Sequence, residues 1–483
     1  THPANFGRLC SKGSTLHLTA RPTVAAQVRA LAPEMRRART SEREAVDWDT
    51  ALEYVTDRIA SCVEQYGPDS VGFYISGQLL TEDYYVFNKL ARGLLQTNNI
   101  DSNSRLCMSS AVMGYKLTLG ADIVPSCYED IEHAELFFLA GSNAAIAHPV
   151  LFQRIEAARQ RNPRVKLIVV DPRRTETAAA ADLHLRILPG TDVALFHGLL
   201  HTLVWEDRID RSFIETHTEG FAALKALVHE YSPTVVAQIC GIRSEDILRA
   251  AHWWAEARSV LSLYCQGLNQ SACGTAKNVA LINLHLVTGN IGRPGAGPFS
   301  LTGQPNAMGG REVGAMATLL SAHRDPTCAQ HRAEIARMWG IDKLPERAGK
   351  SAVELFEAAA RHEVLVLWIA CNNPAQSMPN QRLVREALRA ADFVIVQEAY
   401  RSTSTAAYAD VLLPAASWAE KEGTVTNSER RISRVRRAIR PPGQAREDWD
   451  IVVDVARRLE ARLYPTRRSL FPYRSAEEIW LEH

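Results

Sequence analysis

ELFFLAGSNAAIAHP at residues 135–149 decides the fold, and VLVLWIACNNPAQSMP at residues 364–379 repeats its pattern. Each stretch begins with a short run that is apolar on both faces and then becomes small and polar, as a buried parallel strand does where it enters a loop. The two loops share the pattern Ala-x-x-Asn-x-Ala-x-x-x-Pro at an offset of 230 residues. The spacing predicts two related strand–loop–helix units that arose by one duplication.

A second match follows the next strand of each unit. TETAAAADL at residues 175–183 pairs with TSTAAYADV at residues 403–411, at an offset of 228 residues, and Leu-Pro follows both. Close packing of helices on strands would explain the shared alanines. The shared Asn, Ser and Thr instead favour a phosphate or nucleotide site, because hydroxyls and backbone N–H groups at strand ends bind such anions. The sequence contains neither G-x-G-x-x-G nor G-x-x-x-x-G-K-[ST], so an ordinary dinucleotide site or P-loop is not indicated.

Further β-branched and aromatic runs, each followed by a helical pattern, continue this alternation along the chain. The predicted strands are Ser70–Ile75, Glu135–Ala140, Val165–Val170, Val260–Cys265, Val364–Ala370 and Asp392–Gln397. Alternating strands and helices predict an α/β fold with parallel sheets. Ligands of such sheets bind at the loops beyond the carboxyl ends of the strands.

Composition narrows the class of protein. The chain has 483 residues, of which 46% are hydrophobic and 23% charged, and this is enough for about three domains. Lys and Arg number 55 against 54 Asp and Glu, so the charge gives no reason to expect nucleic-acid or membrane-surface binding. No apolar run approaches the ~18–20 residues that span a bilayer. Nine scattered cysteines without a C-x-x-C pair predict a reducing compartment rather than a disulfide framework.

Three segments carry residues suited to chemistry. Cys107, in NSRLCMSSA at residues 103–111, lies in a small polar loop that enters a helix; it is either a buried structural cysteine or a low-pKa thiolate for a soft metal. Cys10, in GRLCSKG at residues 7–13, cannot hold a metal alone. The polar segment FSLTGQPNAMGGREVG at residues 299–314 has no periodicity and predicts a functional loop, in which the Arg311 fork suits an oxyanion.

Seven arginines between Arg430 and Arg446 form a further basic segment. Such a run is either a solvated face, a channel lining for an anion or a surface for an acidic partner. The chain opens THPANFGRLC without an initiator Met and closes RSAEEIWLEH within an amphipathic pattern, so we expect a fragment.

Together with DPRRTETAAAADLHLRILPGTD (171–192), GLNQ (267–270) and ADVLLPAASWAEKEGTVTNSERRI (409–432), these motifs resemble the large subunit of molybdopterin-dependent oxidoreductases, the dimethyl sulfoxide reductase superfamily. Within it they most resemble assimilatory nitrate reductases. The resemblance implies a multidomain molybdopterin-oxidoreductase fold with two pseudo-equivalent parallel-sheet nucleotide-binding domains. Residues 107–302 would form the first, 46–106 plus 303–483 the second, and 1–45 the remnant of a [4Fe-4S] domain. The C-terminal domain that closes over the pterins would lie outside this chain.

The resemblance also implies a Mo-bis(molybdopterin guanine dinucleotide) cofactor with Cys107 as the thiolate ligand of molybdenum. The first nucleotide is assigned to Ala140, Gly141, Ser142, Asn143, Asp171, Pro172, Arg173, Thr175, Gly190, Thr191 and Asp192, with His148 as a further contact candidate. The second is assigned to Asn373, Gln397, Glu398, Lys421 and Asp448. Gln78, Asn103, Gln266 and Gln270 match other pterin-side positions. Cys10 matches the last of four [4Fe-4S] ligands, the other three expected upstream of Thr1, and Lys12 matches the lysine that helps electrons pass from cluster to pterin.

The activity implied is reduction of nitrate to nitrite by oxygen-atom transfer, with electrons arriving through the [4Fe-4S] cluster. Arg311 would hold the anion and Met108 would shape the pocket. The expected partner is an electron donor such as a ferredoxin or flavoprotein, and the expected location is cytoplasmic unless a missing N-terminal segment directs export. Three alternatives remain. They are a formate dehydrogenase, which would have His where this chain has Met108; a periplasmic dissimilatory nitrate reductase, whose twin-arginine signal would precede Thr1; and a cofactor-less structural subunit of a respiratory complex.

Overall fold

Fourteen strands and the helices between them build the computed structural model, which describes residues 2–483. The strands are β1 (Glu34–Met35), β2 (Glu44–Ala45), β3 (Val71–Ile75), β4 (Ile100–Ser102), β5 (Leu136–Ala140), β6 (Lys166–Val170), β7 (Leu183–Leu185), β8 (Val260–Tyr264), β9 (Gly297–Ser300), β10 (Val366–Ala370), β11 (Phe393–Glu398), β12 (Val411–Pro414), β13 (Gly423–Thr426) and β14 (Ile432–Val435).

The α-helices of the described chain follow in order. They are α1 (Ser11–Thr15), α2 (Pro22–Val28), α3 (Trp48–Tyr66), α4 (Thr81–Asn88), α5 (Ser104–Cys107), α6 (Ser109–Leu119), α7 (Ala144–Ala147), α8 (Pro149–Arg161), α9 (Glu176–Ala179), α10 (Asp192–Trp205), α11 (Arg211–His217), α12 (Phe221–Val228), α13 (Pro233–Cys240), α14 (Ser244–Glu256), α15 (Gln266–Asn269), α16 (Gly274–Val287), α17 (Ala307–Glu312), α18 (Ala329–Trp339), α19 (Ala352–Ala360), α20 (Pro374–Ser377), α21 (Gln381–Ala390), α22 (Asp448–Leu463) and α23 (Ala476–Glu482). None of these helices is at once long enough and apolar enough to cross a membrane.

The first compact unit comprises residues 2–14, Leu106–Gly303 and Ser428–Arg430. Its sheet has the order β7-β6-β5-β8-β9, and every pair of neighbouring strands is parallel. The apolar residues of β5 are buried on both faces, as their lack of alternation predicts. Helices therefore cover this sheet on both sides.

The second unit comprises Thr15–Arg105, Gln304–Asn427 and Arg431–His483. Its sheet has the order β2-β1-β12-β11-β10-β3-β4, in which the last five strands are parallel and β1 and β2 add antiparallel at one edge. Phe73 and Trp368, on neighbouring strands, pack their rings 5.9 Å apart in the core of this unit. The predicted α/β class with parallel sheets is confirmed.

The duplication predicted from the sequence is visible in the hydrogen bonds. The order β7-β6-β5 of the first sheet corresponds to β12-β11-β10 of the second. Gly141 N donates to the Val170 carbonyl over 3.0 Å, and Cys371 N donates to the Gln397 carbonyl over 2.9 Å. Both residues at this position have a left-handed backbone, with φ of +57° for Gly141 and +53° for Cys371. The two units thus share strand order and the conformation of the loop that follows the first strand.

One segment differs from its prediction. Residues 299–314, predicted as an irregular loop, contain the end of β9 and the short helix α17. Two glycines within α17 removed the apolar periodicity by which a helix is recognised, and β9 is only four residues long.

Candidate functional site

A cavity of about 500 Å³ lies at the carboxyl ends of β5, β6, β7 and β8 in the first unit. Its lining includes ten of the residues predicted to bind a nucleotide or pterin: Gly141, Ser142, Asn143, Asp171, Pro172, Arg173, Gly190, Asp192, Gln266 and Gln270. Four others do not line it. Ala140 is buried at the end of its strand, Thr175 and Thr191 bond to their own chain locally, and the His148 ring bonds to the Thr302 carbonyl.

A second cavity, also of about 500 Å³, lies at the carboxyl ends of β3, β4, β10, β11 and β12 in the other unit. Six of the predicted residues line it: Gln78, Asn103, Asn373, Glu398, Lys421 and Asp448. Gln397 lies behind the lining, where its Nε2 donates to Asp448 Oδ1 over 2.7 Å. Each unit therefore carries one cavity where the topology of parallel sheets predicts a ligand.

The Asn and Thr side chains shared by the duplicated loops form the same internal clamp twice. Asn143 Oδ1 accepts a hydrogen bond from Thr177 Oγ1 over 2.8 Å, and Thr177 Oγ1 accepts from Ala145 N. Asn373 Oδ1 accepts from Thr405 Oγ1 over 2.8 Å, and Thr405 Oγ1 accepts from Ala375 N. These side chains tie the first loop of each unit to the second. The hydrogen bonds between the two loops account for the repeat of Asn and Thr in both units, and the predicted ligand contact of Asn143 and Asn373 stays a prediction.

The floor of the first cavity is formed by two backbones in close approach. Gly267 N donates to the Gly141 carbonyl over 2.9 Å, and a Cβ at Gly141 would lie 2.8 Å from the Gly267 backbone. Beside them, Ser142 Oγ is buried without a hydrogen-bond partner among residues 2–483. A glycine cradle and an unsatisfied hydroxyl fit a polar ligand that approaches the main chain, so the residues present suit the nucleotide part of the cofactor.

Cys107 ends α5 and is half-buried in the first unit. Gln266 Nε2 lies 3.9 Å from Cys107 Sγ, and Gln270 Nε2 donates to the Leu106 carbonyl over 3.2 Å. The next residue, Met108, is buried, and its sulfur accepts from Thr302 Oγ1 over 3.5 Å. A soft sulfur beside the Gln266 amide fits a single protein bond to a soft transition metal.

His148 and Cys10 complete the predicted residues of the first unit. Burial lowers the pKa of His148, and the charge of Lys12 adds to that effect, so the ring is neutral at pH 7. The backbone N–H groups of Gly13 and Lys12 lower the pKa of Cys10, as expected for a thiol just before a helix. Within residues 2–483 no three His, Cys, Asp or Glu side chains cluster closely enough to hold a metal ion.

Arg311 lies on α17 in the second unit, and its guanidinium is buried, with Nη2 3.0 Å from Met308 Sδ. The chain beyond α17 is held by a second buried arginine. Arg92 donates to the carbonyls of Gly314 and Met316, each over 2.7 Å, from a π-helical turn at Lys89–Leu94. Such turns are frequent at functional sites.

The electrostatics of the second cavity centre on a buried lysine. Lys421 Nζ lies 2.6 Å from Asp448 Oδ2 and 3.1 Å from Asp83 Oδ2. Burial alone would lower the pKa of Lys421, but the two carboxylates outweigh it and raise the pKa, so the ammonium stays charged. Burial raises the pKa of Glu398 to about 7, although the N–H groups of Ala399 and Tyr400 donate to its Oε1.

Sequence reasoning missed several residues that line the cavities. In the first cavity they include Pro189, Cys265, Gly267, Ser271 and Lys277, and in the second they include Gln304, Cys371 and Trp418. Lys277 lies on α16, outside the duplicated segment, so the internal repeat could not reveal it.

The structure is an α/β protein with two similar units, each of which has a cavity at the carboxyl ends of its parallel strands. Its sequence matches the family described as molybdopterin oxidoreductase over residues 29–458, and the chain belongs to that family.

Relatives with known names are similar over nearly the whole chain. A nitrate reductase from Synechocystis sp. is 48% identical over 460 residues, which cover 95% of this chain and 64% of that protein. An F420-dependent formate dehydrogenase subunit alpha from Methanococcus maripaludis is 36% identical over 481 residues, covering 100% of this chain and 68% of that protein. Nitrate reductases of other bacteria match at 38–46% identity. The chain spans 48–64% of the length of the first nitrate reductases that it matches.

Among solved structures, acetylene hydratase from Pelobacter acetylenicus is similar, with a TM-score of 0.79 and 22% sequence identity. The match covers 99% of this chain and 67% of that structure, so the two share a fold.

Proposed function

We propose that this chain is the cofactor-binding part of a molybdenum-dependent nitrate reductase, which reduces nitrate to nitrite by oxygen-atom transfer. The observation that carries the proposal is the 48% identity to a nitrate reductase over 95% of the chain. Cys107, on a helix end in the first unit, and two cavities of equal volume support it.

The proposed cofactor is Mo-bis(molybdopterin guanine dinucleotide), with one dinucleotide in each cavity. Cys107 would supply the protein's thiolate, and Gln266 and Gln270 would flank it. When bound, the group supplies two-electron redox and oxygen-atom-transfer chemistry. The protein would bind the substrate, orient it and set the charge around it.

Arg311 is proposed to bind the nitrate anion. Its guanidinium is permanently charged and presents N–H donors in a plane, which matches two oxygens of a planar oxyanion. Met308 and the short helix α17 fix the direction of this side chain. Met108 is proposed to shape the pocket with an uncharged thioether, and the neutral His148 ring adds no charge beside Thr302.

Electron delivery is proposed to begin at a [4Fe-4S] cluster for which Cys10 supplies one thiolate, with Lys12 beside it. The lowered pKa of Cys10 supports a thiolate there. The electron donor is proposed to be a ferredoxin or flavoprotein in the cytoplasm. The domain assignment is likewise a proposal: 1–45 with the cluster, 107–302 with the first dinucleotide, and 46–106 plus 303–483 with the second.

Formate oxidation is the second candidate, because the formate dehydrogenase subunit from M. maripaludis is 36% identical over the whole chain. Met108 disfavours it. A thioether cannot accept or release a proton, whereas oxidation of formate releases one near the metal ligand.

The test is an assay of the full-length parent protein with reduced viologen and nitrate, and with oxidised viologen and formate. We expect nitrite to form and formate to remain unreacted. Cys107→Ser should lower nitrite formation by about 100-fold or more, because the hydroxyl is a poor ligand for a soft metal. Cys273→Ser, at an exposed cysteine, is the control and should retain activity. Formate oxidation without nitrite formation would overturn the proposal.

A further inference from the structure

Lys277 is a buried cation in the first cavity that no sequence pattern indicated. It lies on α16 with about 4% of its surface exposed. Its Nζ is 2.7 Å from Asp192 Oδ2 and 3.4 Å from the Gly267 carbonyl oxygen. These contacts engage two of the three N–H donors of the ammonium, and the side chain lines the cavity.

The carboxylate of Asp192 has a favourable environment apart from this lysine. It is the first residue of α10, where the helix dipole already stabilises a negative charge. Burying an ammonium beside it costs desolvation that a surface lysine would avoid. A ligand that uses both charges would account for the pair.

The duplication does not account for it either. The Leu-Pro pairs at Leu188 and Leu413 align Asp192 with Ser417, which has no carboxylate, and Lys277 lies outside the repeated segment. The second cavity nevertheless contains its own buried pair, Lys421 with Asp448, from different positions in the chain. Each cavity therefore contains a lysine–aspartate pair, and the two pairs come from positions that are not equivalent in the repeat.

We propose that Lys277 and Asp192 together select guanine as the base of the nucleotide held in the first cavity. This inference rests on the proposed dinucleotide cofactor and assigns a specificity-determining residue to it. The pairing edge of guanine presents one acceptor, O6, next to two donors, N1–H and N2–H. A carboxylate accepts from both donors, and the third N–H of the ammonium donates to O6.

The same pair rejects cytosine. The pairing edge of cytosine has a single donor, the N4 amino group, next to two acceptors. One of those acceptors would face a carboxylate oxygen, and a buried polar atom left without a partner lowers affinity strongly. Lys277 thus strengthens the binding of guanine and also disfavours the binding of cytosine.

The experiment measures equilibrium binding of GDP, 6-thio-GDP and CDP to the 483-residue chain prepared without cofactor. In 6-thio-GDP a sulfur, a weaker acceptor, replaces O6 while both donors remain. The site in the first cavity is identified as the one lost in Asp192→Ala. We expect wild type to bind GDP more tightly than 6-thio-GDP or CDP at this site, and Lys277→Met to weaken GDP by about tenfold while removing the preference over 6-thio-GDP.

Two variants control for charge and folding. Lys277→Arg retains a donor and should keep part of the preference for GDP. Lys89→Met removes another buried lysine, which pairs with Glu482 in the second unit and does not line the first cavity. This variant should leave nucleotide binding at the first cavity unchanged. Equal weakening of GDP and 6-thio-GDP by Lys277→Met would show that the lysine only supports Asp192 and would overturn the inference. So would a wild-type chain with no affinity for GDP.

These outcomes are separate from those of the proposed reaction. A parent protein that forms no nitrite refutes the proposed function, whereas the GDP preference is measured without substrate or metal. A parent that reduces nitrate while its chain fails to distinguish GDP from 6-thio-GDP refutes the role of Lys277 alone.

Discussion

Gly141 and Cys371 occupy the same place in the two duplicated loops, and the backbone of Gly141 lies against that of Gly267. A Cβ added at Gly141 would lie 2.8 Å from Gly267, at a φ of +57°. We predict that Gly141→Ala lowers the free energy of unfolding by about 2–4 kcal/mol, from strain and overlap combined. Chemical denaturation would measure it. Gly220→Ala, at a φ of +78° with open space around it, is the control and should cost about 1 kcal/mol.

Glu398 makes stability depend on pH. Its pKa is about 7 in the folded chain and near 4.3 when unfolded, so between these values the folded state binds more protons. Stability from this group is therefore full below about pH 4 and falls as the pH rises toward 7, by up to ~1.4 kcal/mol per pH unit. We predict that Glu398→Gln removes this slope, measured by denaturation at pH 5 and pH 8. Glu215→Gln, on an exposed surface, should keep the wild-type slope; a slope unchanged in Glu398→Gln would refute the prediction.

Among single residues, the sequence correctly placed at the cavities most of those that belong to the repeat and its flanking loops. Gly141, Asp171 and Asp192 line the first cavity because loops after neighbouring parallel strands converge. Lys277 was not predicted, because the sequence pattern of an apolar helix does not show whether a lysine within it is buried or exposed. Gln397 was predicted correctly to lie at a strand end, but its side chain points to Asp448 behind the cavity lining.

At the scale of elements, the Asn–Thr clamps hold each pair of loops in place. We predict that Asn143→Ala and Asn373→Ala each lower the free energy of unfolding by about 1–3 kcal/mol, since each leaves a threonine hydroxyl and a backbone N–H without their partner. The two losses should add, because the clamps share no residue. Asn162→Ala, whose side chain accepts one exposed bond from Arg164 N, is the control for loss of an asparagine. Losses no larger than that of the control would contradict the clamp.

Some strands can be predicted from the sequence and others cannot. The six predicted strands all form, with ends shifted by one or two residues, because continuous apolar runs are typical of buried parallel strands. The short strands β1 and β2, which extend one side of the second sheet, are two residues each and carry no periodic pattern. Their pairing depends on contacts distant in sequence: Met35 pairs with Val411.

At the scale of the whole molecule, two units built on the same plan each carry a cavity of about 500 Å³ at the same edge of a parallel sheet. A cofactor with two similar nucleotide arms matches this duplication, whereas a single nucleotide would leave one cavity without a role. The repeat is one of the motifs that carry the resemblance to molybdopterin oxidoreductases, and the two cavities add a separate, geometric observation that supports the proposed cofactor.

The proposal that each unit holds one dinucleotide of a molybdenum cofactor is tested by the ratio of nucleotide to metal in the purified full-length parent protein. Molybdenum and iron would be measured by elemental analysis, and nucleotide by chromatography after acid release. We expect about one molybdenum and four iron atoms per chain, with two GMP released for each molybdenum. A protein of normal fold that contains no molybdenum, or one GMP per molybdenum, would contradict it.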